Sequence, residues 1–216
     1  MLQQAKLSIK NLYAVKQQTR LTLVLLLNLV MIAGLIIVGL FSHSLGVLAA
    51  GGDFVADSFA IVLGLLAIRI SQHPRGYPKA TSIVALINSV FLLAITLFVI
   101  FEALQRLTGH APVIEALSVV VVSTISAVVM IMGAFILGGD DSKEDLHMRS
   151  VMLDTIADAT SAAAVAITGG IILATKGFYW LDSAVALVIG LVIGYQALKL
   201  MRDVIKELQE KLPHKK

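Results

Sequence analysis

Two stretches of the chain, GGDFVADSF and LDTIADATS, each carry a pair of aspartates four residues apart: Asp53 with Asp57, and Asp154 with Asp158. Residues four apart share one face of a helix, so each stretch points two carboxylates in one direction. Such groups are hard oxygen donors for a divalent cation. Alternatively, two acids sharing a proton could activate water. The flanking Ser58, Thr155, Thr160 and Ser161 are candidate hydrogen-bond partners for the carboxylates. Gly51, Gly52, Ala56, Ala157 and Ala159 are small enough to let helices approach closely.

The elements that must hold these residues are apolar. The chain has 216 residues, 58% of them hydrophobic and only 14% charged, with a mean hydropathy of +0.91. Soluble chains carry roughly a quarter charged residues. Runs of about 20 apolar residues read as transmembrane helices. Six such spans are expected, at 21–41, 45–70, 80–101, 112–137, 151–174 and 181–201, separated by breaks rich in Gly, Pro or charge. The fold class is therefore an all-α membrane protein with six transmembrane helices. Its parts are a cytoplasmic lead over 1–20, a transport domain over 21–201 and a short cytoplasmic tail over 202–216, with no folded C-terminal domain expected. The basic lead shows no convincing cleavage site, so it is not read as a signal peptide. There is no cysteine, which removes disulfides and thiolate metal sites.

Lys and Arg set the orientation. Fifteen of the 17 fall in the lead, the second and fourth loops and the tail, leaving Arg106 and Lys176 on the other side. That bias puts both termini in the cytoplasm. It also explains the net charge of +3 as topology, with no nucleic-acid partner implied. Tyr179 and Trp180 suit a headgroup-level belt.

Inside the spans, each charge costs at least about 2.5–3.5 kcal/mol at the bilayer centre. No Lys, Arg or His lies mid-span to pair with the aspartates. They must therefore face one another, a cation or a water-filled cavity. Depth agrees with the first two options. Counted from Leu45 in the second span and from Gly169 and Gly170 in the fifth, the pairs match in depth within about one turn; counted from Ala174 they match less well, and tilt must absorb the difference.

At these residues the sequence resembles the cation diffusion facilitator family. SLGVLAAGGDFVADSFAIVLGLLAIRIS is similar to its second span, and HPRGYPKATSIVALINSVFLLAITLFVIFEALQRL to its third with the preceding loop. DLHMRSVMLDTIADATSAAAV resembles its fifth-span motif, and GFYWLDSAVALVIGLVIGYQALKLMRDVIKEL its sixth. The resemblance implies a homodimeric, six-span, multi-pass transporter of a bacterial-type inner (plasma) membrane. Such a protein is not an enzyme: it exports a divalent metal ion in exchange for protons and needs no further cofactor. By position it implies a metal site of Asp53, Asp57, Asp154 and Asp158.

Several features depart from that pattern. Relatives often carry His at the positions of Asp154 and Asp53. An all-carboxylate site suits Mn²⁺ or Fe²⁺ at least as well as Zn²⁺ by ligand hardness, whereas tetrahedral geometry and family frequency favour Zn²⁺ and Cd²⁺. The family's cytosolic ferredoxin-like domain is expected to be missing after KELQEKLPHKK. His73 alone survives of a second-loop site, with Tyr77 where another His would stand, and no metal is assigned there. The acidic loop from Asp140 to Asp145 reads as solvated, as do His43, His110, His147 and His214. Asp182 reads as an acid opening the sixth helix. Gly190 and Gly194 form a small-residue face for packing within or between protomers.

The mechanism expected is exchange. Metal entering the site displaces protons from the carboxylates, protons arriving from outside displace metal, and the four acids titrate as a coupled set. Two alternatives stand beside it. One is an intramembrane aspartyl protease, although Ala50, Gly51 and Gly52 before Asp53 break the GxGD pattern of such enzymes. The other is a non-transporting scaffold or regulatory partner.

Overall fold

The computed structural model describes residues 26, 29–71, 80–137 and 146–210, and among these it is helical without strands. The helices are α1 (Leu29–Phe41), α2 (Leu45–Ser71), α3 (Ala80–Thr108), α4 (Ala116–Leu137), α5 (Leu146–Thr175) and α6 (Trp180–Glu210). Among the described residues, four stretches are long and apolar enough to cross a bilayer: Ser82–Thr108, Ala116–Phe135, Met152–Thr175 and Trp180–Gln209. α1 is a shorter apolar helix. The residues that would lengthen it, the lead over 1–20, the segments around His73 and Asp140–Asp145, and the last six residues lie outside the described set.

Several helices outrun their apolar cores. α5 starts at Leu146, earlier than the expected 151, and α6 continues to Glu210, past the expected 201. The reason is that backbone hydrogen bonding needs no apolar side chain. A helix can leave hydrocarbon and continue as an amphipathic one in water. The segment expected as a tail is thus, as far as residue 210, the end of α6.

Three tight connections, at 42–44, 109–115 and 176–179, lie at one end of the bundle, here called the short-turn end. Consecutive helices therefore alternate in direction. α4 packs along α5 and α3 along α6, while α2 lies against α3 and α6 and meets α5 over a shorter stretch. Large apolar side chains face outward, among them Phe98 (63% exposed), Val188 (61%) and Phe135 (80%). Such a surface requires a hydrocarbon environment.

Close approach replaces bulk where helices cross. A Cβ on Gly194 would lie 2.9 Å from Thr96 Cγ2, and one on Gly190 would lie 3.2 Å from Ile100 Cγ1. The small-residue face of α6 is thus occupied by α3 of the same protomer. With no hydrophobic driving force between helices in lipid, this dispersion contact is what holds the pair.

A polar cluster pins the short-turn end. Asp182, at the start of α6, is 2% exposed. Its carboxylate accepts from Ser44 Oγ at 2.6 Å, Leu45 N at 2.6 Å and Gly46 N at 3.3 Å. The acid lies in the first turn of α6, as expected, and its carboxylate also caps the start of α2. Helix starts leave backbone N–H groups unpaired, and α2 has no acid in its first turn. Ser44 Oγ also accepts from Val47 N at 3.2 Å, as an N-cap does. Arg106 donates to the His43 carbonyl at 2.8 Å and pairs with Glu102 at 2.9 Å. Glu115 N donates to the Ser42 carbonyl at 3.2 Å. Four helix ends are thereby joined. His43 itself takes φ 56° in this turn and its side chain is exposed, as is that of His110.

The α3–α6 contact gives a stability prediction. Gly194→Leu must push Thr96 aside, and overpacking of this kind costs about 1–3 kcal/mol. Thermal unfolding in detergent is expected to shift downward, whereas Gly170→Leu, where nothing lies within 4 Å of a new Cβ, is expected to leave the transition nearly in place.

Candidate metal site

The height of α2 against α5 decides whether the two aspartate pairs can meet. A Cβ on Gly46 would lie 3.3 Å from Val165 Cγ2, so these residues face each other across antiparallel helices. Moving seven residues along α2 from Gly46 reaches Asp53, and moving seven residues back along α5 from Val165 reaches Asp158. Moving eleven residues each way reaches Asp57 and Asp154. Seven and eleven residues are close to two and three whole turns at 3.6 per turn. The carboxylates therefore return to the contacting faces at matched heights, Asp53 level with Asp158 and Asp57 level with Asp154. The sequence expectation of a match within a turn is met by this contact.

Among the described residues no Lys, Arg or His pairs with any of the four. Burial is graded: Asp158 is buried, Asp53 and Asp57 are half-buried, and Asp154 is exposed. The pairs are level along the two helices, but Asp154 is exposed and Asp53 lines a cleft with α3 and α6, so the four do not close on one centre. Among the described residues no three His, Asp or Glu side chains converge at metal-holding distance.

The expected hydrogen-bonding neighbours divide. Thr160 is exposed and donates to its own helix at the Ile156 carbonyl, 2.8 Å away, so it turns away from the carboxylates. Ser58 is buried, and its Oγ has no partner among the described residues. Thr155 is buried, packed where a Cβ on Gly133 would lie 3.6 Å from its Cγ2.

Two neighbours carry no signal in the sequence. Asp53 shares a cleft with Thr96 and Val99 of α3 and Gly190 and Ile193 of α6. Met130 of α4 is the other. Gly133 faces Thr155 at one end of the α4–α5 pair, and Val119 faces Gly169 at the other. The two contacts are fourteen residues apart on each helix, so the register holds throughout. It sets Met130, 2% exposed, level with Asp158. A lone Met or Thr in an apolar span reads as packing, and only helix pairing shows what it lies beside.

Helices long and apolar enough to cross a bilayer, with large apolar side chains turned outward, define a multi-span integral membrane protein. The family match names the ion class: the description of the cation efflux transmembrane domain fits residues 21–209. The chain belongs to this cation efflux family. It is 29% identical over 201 residues to the "Cadmium, cobalt and zinc/H(+)-K(+) antiporter" of Bacillus velezensis, covering 88% of this chain and 64% of that protein. It is 26% identical over 181 residues to the zinc transporter ZitB of Escherichia coli, covering 81% of this chain and 57% of the relative. The metal cation efflux system protein CzcD of Cupriavidus metallidurans is likewise 26% identical, with 81% and 56% covered. The chain thus spans less than two thirds of the length of these relatives.

A prediction concerns the Ser58 hydroxyl. Removing an unpaired buried hydroxyl deletes a desolvation cost of about 1–3 kcal/mol, so Ser58→Ala is expected to leave the thermal transition unchanged or raise it. A lowered transition in detergent would instead mean that Ser58 carries a hydrogen bond worth keeping.

Proposed function

We propose that this chain forms the membrane part of an efflux carrier that exports Zn²⁺ or Cd²⁺ from the cytosol in exchange for protons. Asp53, Asp57, Asp154 and Asp158 are the proposed metal ligands. The observation that carries this reading is the shared register of α2 and α5, which levels both acidic pairs. An ion between them supplies the attraction that four like charges lack, and carboxylates can complete a tetrahedral shell for Zn²⁺. Protons compete for the same oxygens, and this competition couples the two fluxes. The names of the relatives support zinc, cadmium and cobalt over manganese and iron. Counting α2, 27 residues long, and a full-length first span with the four apolar stretches gives six, with both termini cytoplasmic by the Lys and Arg bias. Asp154, exposed and on the side away from the short turns, then lies nearest the cytosolic entrance. A homodimer associating through membrane helices in the inner membrane completes the proposal.

Transport is tested in proteoliposomes. An acidic lumen is expected to accelerate Zn²⁺ and Cd²⁺ uptake from a neutral exterior, because protons leaving the lumen drive metal inward. Equal acidity on both sides is expected to slow it, because protons then occupy the carboxylates. Asp154→Ala and Asp158→Asn should each cut flux by roughly tenfold or more, the scale of a lost metal ligand or its support. Metal uptake indifferent to the pH gradient would exclude exchange.

Orientation has its own test, made simple by the absence of native cysteine. A His110→Cys variant is expected to react with a membrane-impermeant maleimide added outside intact cells. Labelling only after permeabilisation would invert the topology.

A further inference from the structure

Asp182 is the most constrained acid in the molecule, yet it lies outside the candidate metal site. We propose that Asp182 is a positioning residue for transport: by holding Ser44, Leu45 and Gly46 it sets the height and rotation at which α2 presents Asp53 and Asp57 to α5. This rests on the reading of the four aspartates as metal ligands.

Gly46 carries the argument, because two restraints meet on it. Its N–H is held by the Asp182 carboxylate. A Cβ there would lie 3.0 Å from Asp182 Oδ1 and 3.3 Å from Val165 Cγ2. The residue that fixes α2 to α6 is therefore the one that contacts α5. A side chain there would press on both, and each would have to give by a few tenths of an ångström.

A helix transmits such a restraint along its length. Each residue turns the helix by about 100° and advances it 1.5 Å. A slip of one residue at Gly46 would swing Asp53 and Asp57 off the α5-facing side together. Val47, Leu48 and Phe54 are bulkier, and a Cβ on Gly39 would lie 2.8 Å from Leu48 Cδ2, but along the face that Gly46 turns toward α5 the next residues before Asp53, Ala49 and Ala50, are small. Small residues allow close approach but offer no ridges to fix register. The directional hydrogen bonds of a buried carboxylate supply what that packing lacks. Arg106 reinforces them from the other side of the turn by holding the His43 carbonyl.

The test measures register and metal affinity separately. In the cysteine-free chain, Ala50→Cys paired with Ser161→Cys stands four residues from Gly46 and four from Val165, in the observed register. Ala50→Cys paired with Ala157→Cys is one turn out of step. With Asp182 intact, oxidative cross-linking should favour the first pair severalfold. Asp182→Ala should abolish that preference and raise the Zn²⁺ Kd, measured by calorimetry in detergent, by roughly tenfold or more. Asp182→Asn keeps an acceptor oxygen and should largely restore both. A variant that lowers thermal stability while keeping the cross-linking preference and the Kd would overturn the proposal and leave Asp182 a purely stabilising residue. If Asp182→Ala does not fold, Ser44→Ala removes one donor to the carboxylate and is read in the same way, with smaller shifts expected. An intact protein that binds no Zn²⁺ would instead count against the four aspartates as ligands, and the cross-linking comparison would still decide the role of Asp182.

Discussion

Carboxylates on helices that lie in hydrocarbon leave a chain few arrangements. Each would be expensive to expose to lipid, and none of the four here has a cationic partner among the described residues. The remaining solution is to turn them toward one another across a helix boundary. The rest of the bundle follows from that constraint. α2 and α5 must run antiparallel at matched height, and their shared interface must be built of small residues so that side chains on both can meet. Bulk has to be moved elsewhere, to the outward Phe, Val and Ile side chains and to the α4–α5 and α3–α6 seams.

Those two seams divide the labour. α4 and α5 interlock in one register over fourteen residues, and α3 and α6 close on Thr96 and Ile100 over the glycines of α6. α2 stands between them, touching α3, α6 and α5. The acidic pairs thus sit on two different packing units, one on α5 and one on α2. A ligand held between them would join the units, and its loss would release them. In the proposed exchange, each cation would stabilise a different spacing of the same carboxylates.

The short-turn end is built on another principle. There Asp182, Ser44, Arg106 and the carbonyls of Ser42 and His43 form directional contacts between the ends of four helices. Charge-assisted hydrogen bonds strengthen where water is scarce. One end of the bundle is therefore tied by polar contacts, whereas the deeper contact between α2 and α5 is small-residue packing around acids that repel. The opposite end carries the exposed Asp154. Stiffness at one end and electrostatic tension further along the same helix is an arrangement that lets the site change spacing without unravelling.

Much of this was legible in the amino-acid order alone. Hydropathy gave the helical membrane class, because about 20 apolar residues have few other uses. The i,i+4 spacing gave the two acidic faces, and motif order along the chain pointed to the family that the comparisons then showed. These are local properties: period, composition and sequence distance. Helix ends were less legible, since α5 and α6 continue past their apolar cores on backbone hydrogen bonds that hydropathy does not report. What only the tertiary structure decided was partnership. Asp182 read as the acid that opens the sixth helix, and it does, but that its carboxylate holds the start of α2 was not legible. Gly190 and Gly194 were open to either a neighbour or a partner and proved to seat α3. Thr160 read as a helper and turned away, while Met130 and Thr96 gave no sign of lying level with or beside the acids. The reason is geometric. A helix advertises its own faces through its period, but which helix lies against each face depends on how close backbones can come, and that is known only once they have packed.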